Sequence, residues 1–111
     1  EFPACLHQAP ILLQSKRSII RQRLDAWFEQ LHIAPQIVAE FDDSALMKAF
    51  GQQGLGIFSA PSHIEQNICQ QYQVQVIGRT EAVREVFYAI SPERKITHPA
   101  VLQLVNALAS S

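Results

Sequence analysis

The stretch from Pro10 to Phe41, PILLQSKRSIIRQRLDAWFEQLHIAPQIVAEF, decides the fold. It opens with an apolar run, Pro10-Ile11-Leu12-Leu13, of a length that suits a buried strand. Behind it, Ser15 and Ser18 offer N-caps for a helix reaching about His32. Ile19, Ile20, Leu24, Trp27, Phe28 and Leu31 form one continuous helical stripe, with Arg21, Arg23, Asp25 and Glu29 mostly off it. Pro35 ends the connection, and Ile37-Val38-Ala39-Glu40-Phe41 reads as a second strand. Strand, helix, strand is the unit of a parallel sheet, because a parallel return needs a long crossover.

Working outward, the pattern repeats. Asp42, Asp43 and Ser44 supply acidic and capping groups for a short helix carrying Leu46, Met47 and Phe50, stopped by Gly51 or Gly54. Gly54-Leu55-Gly56-Ile57-Phe58 reads as a third strand closed by a Ser59-Ala60-Pro61 turn. Ser62 and Glu65 have capping-box spacing before a helix with Ile64, Ile68 and Tyr72 at four-residue intervals. Val74 to Ile77 gives a fourth strand ending at Gly78. Val83 to Ile90 gives a fifth, apolar at nearly every position from Val86 and so buried on both faces. Pro99 suits the first turn of a last helix with Val101, Leu104, Val105 and Leu108 on its apolar side. Residues 1–9 have no period and read as an arm. The order β-α-β-α-β-α-β-β-α predicts an α/β layer fold with a mostly parallel central sheet. The two consecutive strands near residues 73–90 are its irregular feature.

A chain of 111 residues suits one small domain, and 48% apolar against 17% charged residues excludes disorder. That charge fraction lies below the usual ~25%, which leaves surface for a partner or for missing chain to cover. A net charge of −1 supplies no general attraction to nucleic acid or to an acidic membrane. No apolar run approaches the ~20 residues that span a bilayer, and Glu1 to Pro10 carry no export signal. The expectation is a cytoplasmic protein in which Cys5 and Cys69 are free thiols, with one disulfide as the alternative.

Catalytic patterns are missing from the sequence, and no enzyme or cofactor is expected. His7, His32, His63 and His98 fall at no metal-ligand spacing, and there is neither a GxSxG elbow nor a GxxxxGK[ST] loop. Gly51, Gly54 and Gly56 precede a strand, whereas a phosphate loop follows one. Ligands of open α/β sheets collect at the carboxyl ends of strands, beside helix N-termini. Three such turns qualify here: Gln14-Ser15-Lys16-Arg17-Ser18, Phe41-Asp42-Asp43-Ser44 and Ser59-Ala60-Pro61-Ser62. The first places cations where a helix dipole prefers anions, which an anionic ligand or plain solvation resolves. Capping is a sufficient structural role for much of the other two.

Leu24-Asp25-Ala26-Trp27-Phe28, Pro35 to Asp43, Gly54-Leu55-Gly56-Ile57 and Pro61 occur in an order that resembles the second half of the effector-binding domain of LysR-type transcriptional regulators. The longer runs Glu40 to Gly51 and Ala89 to Val101 are similar to those of members that activate sodium/proton antiporter genes. The resemblance covers nearly the whole chain. It implies a single three-layer lobe like one lobe of a type 2 periplasmic binding protein. That lobe is expected over residues 10–91, followed at 92–111 by a return segment and a helix that packs on a first lobe. It implies a homo-oligomer that reaches promoter DNA through an N-terminal winged helix-turn-helix outside this sequence. It also implies a small effector or a sodium or lithium ion as the signal, with the three turns facing the cleft. Asp42 and Asp43 are the paired carboxylates there and the candidate sodium contacts, although a hard cation wants more oxygens than two side chains bring.

Two rivals share such a fold. One is a lobe of a solute-binding protein for a transporter, which an export signal in the parent gene would mark. The other is an enzyme subdomain, which a perturbed acid–base pair would mark.

Overall fold

Ile11, Leu12 and Leu13 are all fully buried, and the pleat sends them to opposite sides of the sheet. The computed structural model describes residues 1–91, so the expected helix with Val101, Leu104, Val105 and Leu108 lies outside the described residues. Among the described residues five strands and three helices make a mixed α/β architecture: β1 (Pro10–Gln14), α1 (Ile19–Gln30), β2 (Gln36–Phe41), α2 (Ser44–Gln52), β3 (Phe58–Pro61), α3 (Glu65–Gln71), β4 (Val74–Thr80) and β5 (Glu85–Ile90). Short 3-10 turns occupy Ala4–Leu6 and Ser62–Ile64.

The strands form two small ladders, β2-β1 and β3-β5-β4, joined by a single parallel bridge between Ile11 and Ile57. β1 and β2 are parallel, as the quoted stretch predicts. Beyond this ladder and the Ile11–Ile57 bridge the expected mostly parallel pairing ends, because β5 inserts between β3 and β4 and runs antiparallel to both. The link over residues 81–84 is far too short for a parallel crossover, so a hairpin is the only return open to it. Arg84 takes a left-handed conformation in that turn, with φ 54°.

Each face of the sheet carries its own core. Ile11, Leu13 and Phe87 pack with Leu24, Trp27 and Phe28 of α1, and the N-terminal segment closes this layer. The expected arm is therefore part of the core: Leu6 is fully buried, and the Phe2 ring lies against Trp27 and Phe87. On the opposite face Leu12, Phe58, Val86 and Tyr88 pack with Met47 of α2 and Ile68 of α3. Val86, Phe87 and Tyr88 are buried in succession, the two-faced burial that β5's sequence predicts.

Several local expectations need correction. Ile19 and Leu31 belong to the α1 stripe by spacing but sit at the helix ends, 68% and 40% exposed, beyond the sheet's reach. Arg21, placed off the stripe, is buried. Ser59 and Ala60 are buried strand residues of β3, not a turn, because Gly54, at φ 83°, extends the preceding turn and shifts the strand downstream. Ser62 and Glu65 form no capping box, since the Glu65 carboxylate is held bidentate by Arg79 of β4. β4 passes through Gly78 on a bulge and reaches Thr80.

Gly51 lies in the last turns of α2, where a Cβ would overlap the buried Phe58 ring, and a Cβ on Gly78 would overlap the half-buried Phe2 ring. Phe58 is locked by its stack on Tyr88, whereas Phe2 sits near the chain terminus. Overpacking at Gly51→Ala is expected to cost about 1–3 kcal/mol, and Gly78→Ala less. Paired denaturant titrations check this, and equal losses would mean that Phe2 is as fixed as Phe58.

Candidate functional site

The loops leaving β1 and β2 meet strand β3 around one cleft of about 550 Å³. Its position follows from strand direction, since β1 and β2 are parallel and both run out at Gln14 and Phe41 on the same edge. Ser15, Arg17, Ser18, Phe41, Asp42, Ser44, Ser59, Ala60 and Pro61, drawn from all three anticipated turns, line it together. Lys16 and Asp43 do not. Lys16 is solvent-exposed, and the Asp43 carboxylate turns back to accept from the backbone N–H groups of Ala45 and Leu46 as the α2 N-cap.

Arg21 builds the rim on which the first two turns stand. Its guanidinium, 3% exposed, donates to the Gln14 carbonyl at 2.8 Å, to Glu40 at 2.6 Å and to Asp25 at 2.9 Å. Burial opposes its charge, but Glu40 and Asp25 outweigh that, so the group stays protonated above its ordinary range. One side chain thus ties α1 to the ends of β1 and β2. Above it, the Ser15 N–H donates to the Phe41 carbonyl at 2.8 Å. Arg17 donates to Asp42 at 3.0 Å across the cleft mouth, a pair that is 84% and 66% exposed. The Ser15 hydroxyl and then Arg17 hold the Asp42 carboxyl below the ordinary carboxylate range.

Gln14, the leading residue of the first candidate loop, also lines the cleft, as do Ile20, Met47, Lys48 and Ile64, which were not anticipated. Gln14 was legible as the carboxyl end of β1, and Lys48 as the residue one helical turn beyond Ser44. The Gln14 Oε1 is buried without a hydrogen-bond donor, and Lys48 makes no ion pair among the described residues. Among the described residues no three His, Cys, Asp or Glu side chains cluster as a metal site. Cys5 and Cys69 are exposed free thiols.

Residues 3–111 match the family model of the LysR substrate binding domain, and the chain belongs to that family, whose fold is like that of periplasmic binding proteins. Among curated proteins it is similar to the transcriptional activator protein NhaR of Escherichia coli (strain K12), 42% identical over 105 residues. NhaR of Shigella flexneri matches equally, at 42%. Each match covers 95% of this chain and 35% of the relative, so the chain spans about a third of their length. No solved structure matches. Among the described residues no helix is long and apolar enough to cross a membrane.

Arg21→Ala is expected to lower unfolding stability by about 1–3 kcal/mol, because Glu40 and Asp25 re-solvate at the surface while the part-buried Gln14 carbonyl loses its donor. Chemical denaturation checks this; an unchanged midpoint would remove Arg21 from the frame. In Ser15→Ala the Asp42 carboxyl should titrate closer to its ordinary 3.8, followed by side-chain NMR.

Proposed function

We propose that this chain is an effector-sensing lobe of a LysR-type transcriptional activator that regulates sodium/proton antiporter genes in the sodium and lithium response. In this reading it forms one three-layer lobe of a two-lobed, periplasmic-binding-protein-like domain. Promoter DNA is bound by a helix-turn-helix outside this chain, in a cytoplasmic homo-oligomer. The observation that carries the reading is the cleft at the carboxyl ends of β1 and β2, in a chain 42% identical to NhaR over 95% of its length. A cleft on that edge is where an α/β lobe meets a ligand.

Its chemistry favours a small polar effector. Lys48 and Arg17 present cationic donors, Ser15, Ser18 and Ser44 present hydroxyls, and the Gln14 Oε1 needs a donor. An effector that binds Arg17 separates it from Asp42, and closure of the lobes then differs between the bound and free states. Direct sodium contact is the second reading, favoured by the ionised Asp42 at the mouth of the cleft. Sodium must displace Arg17 there and recruit further oxygens, because Asp43 is committed to its cap.

The test is a footprint of the intact protein on the antiporter promoter in sodium and in potassium at matched ionic strength, since unmatched salt alone changes DNA affinity. A sodium-dependent footprint that disappears in Asp42→Ala supports direct sensing. A sodium response kept in Asp42→Ala but lost in Lys48→Ala assigns the cleft to a polar effector. Failure to bind the promoter under any of these conditions overturns the reading.

A further inference from the structure

Glu85 begins β5 at 1% exposure, a carboxyl group inside the sheet that neither capping nor the cleft's lining accounts for. Among the described residues its one polar side-chain contact is the Ser59 hydroxyl, which donates to Oε1 at 2.8 Å from β3. Ser59 is itself 2% exposed and forms part of the cleft wall, so the carboxyl stands directly behind the site. Among the described residues no cation pairs with it. On β4, Thr80 lies opposite Glu85 in register, and the neighbouring Arg79 is held by Glu65 of α3. On α1 and its leading loop, Arg21 is held by Glu40 and Asp25, and Arg17 by Asp42. On α2, Lys48 faces the cleft; on β5, Tyr88 brings a neutral phenol whose hydroxyl is unpartnered, and Arg84 is exposed in the turn. A buried carboxylate with one hydroxyl and no counter-charge is costly, and protonation removes that cost.

We propose that the Glu85 carboxyl is a proton switch behind the cleft: protonated, it keeps the Ser59 wall packed in β3, and ionised, it loosens that wall. The inference rests on the cleft being the sensing site, but the switch itself is a property of this chain alone. Burial pushes the carboxyl up to about 7 from an ordinary 4.5, with the Ser59 hydroxyl opposing. The sign follows. The unfolded chain releases this proton near 4.5 and the folded chain near 7, so folding stability falls as pH rises across that window and is level above it. Over the window the folding equilibrium should drop by roughly two orders of magnitude.

The experiment uses the 111-residue chain at pH 5 to 8.5, with the Glu85 side-chain carboxyl followed by 13C NMR and stability by urea titration. The expected result is a carboxyl midpoint near 7, amide shifts at Ser59 and Ala60 with the same midpoint, and a smaller stability slope in Glu85→Gln. A midpoint in the ordinary carboxylate range overturns the switch, and so does an unchanged slope in Glu85→Gln. A midpoint near 7 without shifts at Ser59 and Ala60 overturns the link to the cleft. Should Glu85→Gln not fold, the wild-type NMR titration still decides both points. Failure of promoter footprinting bears only on the regulatory reading, because no DNA enters this experiment.

Discussion

The buried guanidinium of Arg21 is the constraint on which the cleft depends. A charge at 3% exposure is tolerated only when its donors are satisfied, and here they are satisfied by three different elements. The Gln14 carbonyl marks where β1 must stop, Glu40 marks the height at which β2 arrives, and Asp25 holds the second turn of α1 over both. Once those are fixed, residues 15–18 have one short path to the helix, and the Ser15 N–H meets the Phe41 carbonyl along it. The N-terminus of α1 follows from the same constraint. A helix that opens with cations works against its own dipole. Arg17 and Arg21 are both turned to carboxylates of the neighbouring strand and loop, which leaves Lys16 to the solvent.

Much of this was legible in the sequence, and the misses share a cause. Apolar periodicity located β1, α1, β2 and β5, because burial of Leu12, Leu24, Trp27 and Tyr88 is a local decision of spacing and face. It placed Arg21 outside, because a periodicity count has no means of seeing Glu40, nineteen residues away, waiting at the strand end. Glu85 and Ser59 escaped for the same reason: each looks like a boundary residue alone, and only their contact across β3 and β5 makes both interior. The capping box at Ser62 is the converse case. Its spacing was right, but Arg79 offered Glu65 two charged donors where the helix end offered one neutral N–H.

The candidate site divides in a similar way. The three segments could be singled out from the carboxyl edge of an α/β sheet, which strand order fixes, although Ser59 and Ala60 lie within β3 and not in a turn. Which side chains enter the cleft could not, because that turns on competition within each loop. Asp42 and Asp43 are adjacent and chemically identical, yet one faces Arg17 and the other closes α2. A paired-carboxylate cation site needs both free, and the backbone N–H groups of Ala45 and Leu46 claim one of them first.

The interactions around the cleft differ greatly in strength, and that difference separates the part that adjusts from the part that holds. The Arg17–Asp42 pair is exposed on both sides and weakened by solvent, so a ligand replaces it easily. Arg21 is buried and held by three acceptors at once, although Asp25 and Glu40 are themselves partly exposed, so a small molecule does not replace it as easily. A signal, however, needs a differential affinity of several kcal/mol between two states to shift a population decisively. Opening the exposed pair cannot supply it. If the proposed effector binds here, the difference has to arise where its remaining surface meets groups that would change environment on closure, and Lys48, the Gln14 Oε1 and Ser59 are the cleft groups so placed. On the proposed reading the exposed pair would act as a latch over the mouth, and the rim held by Arg21 beneath it would pass a small movement of that latch to a facing surface.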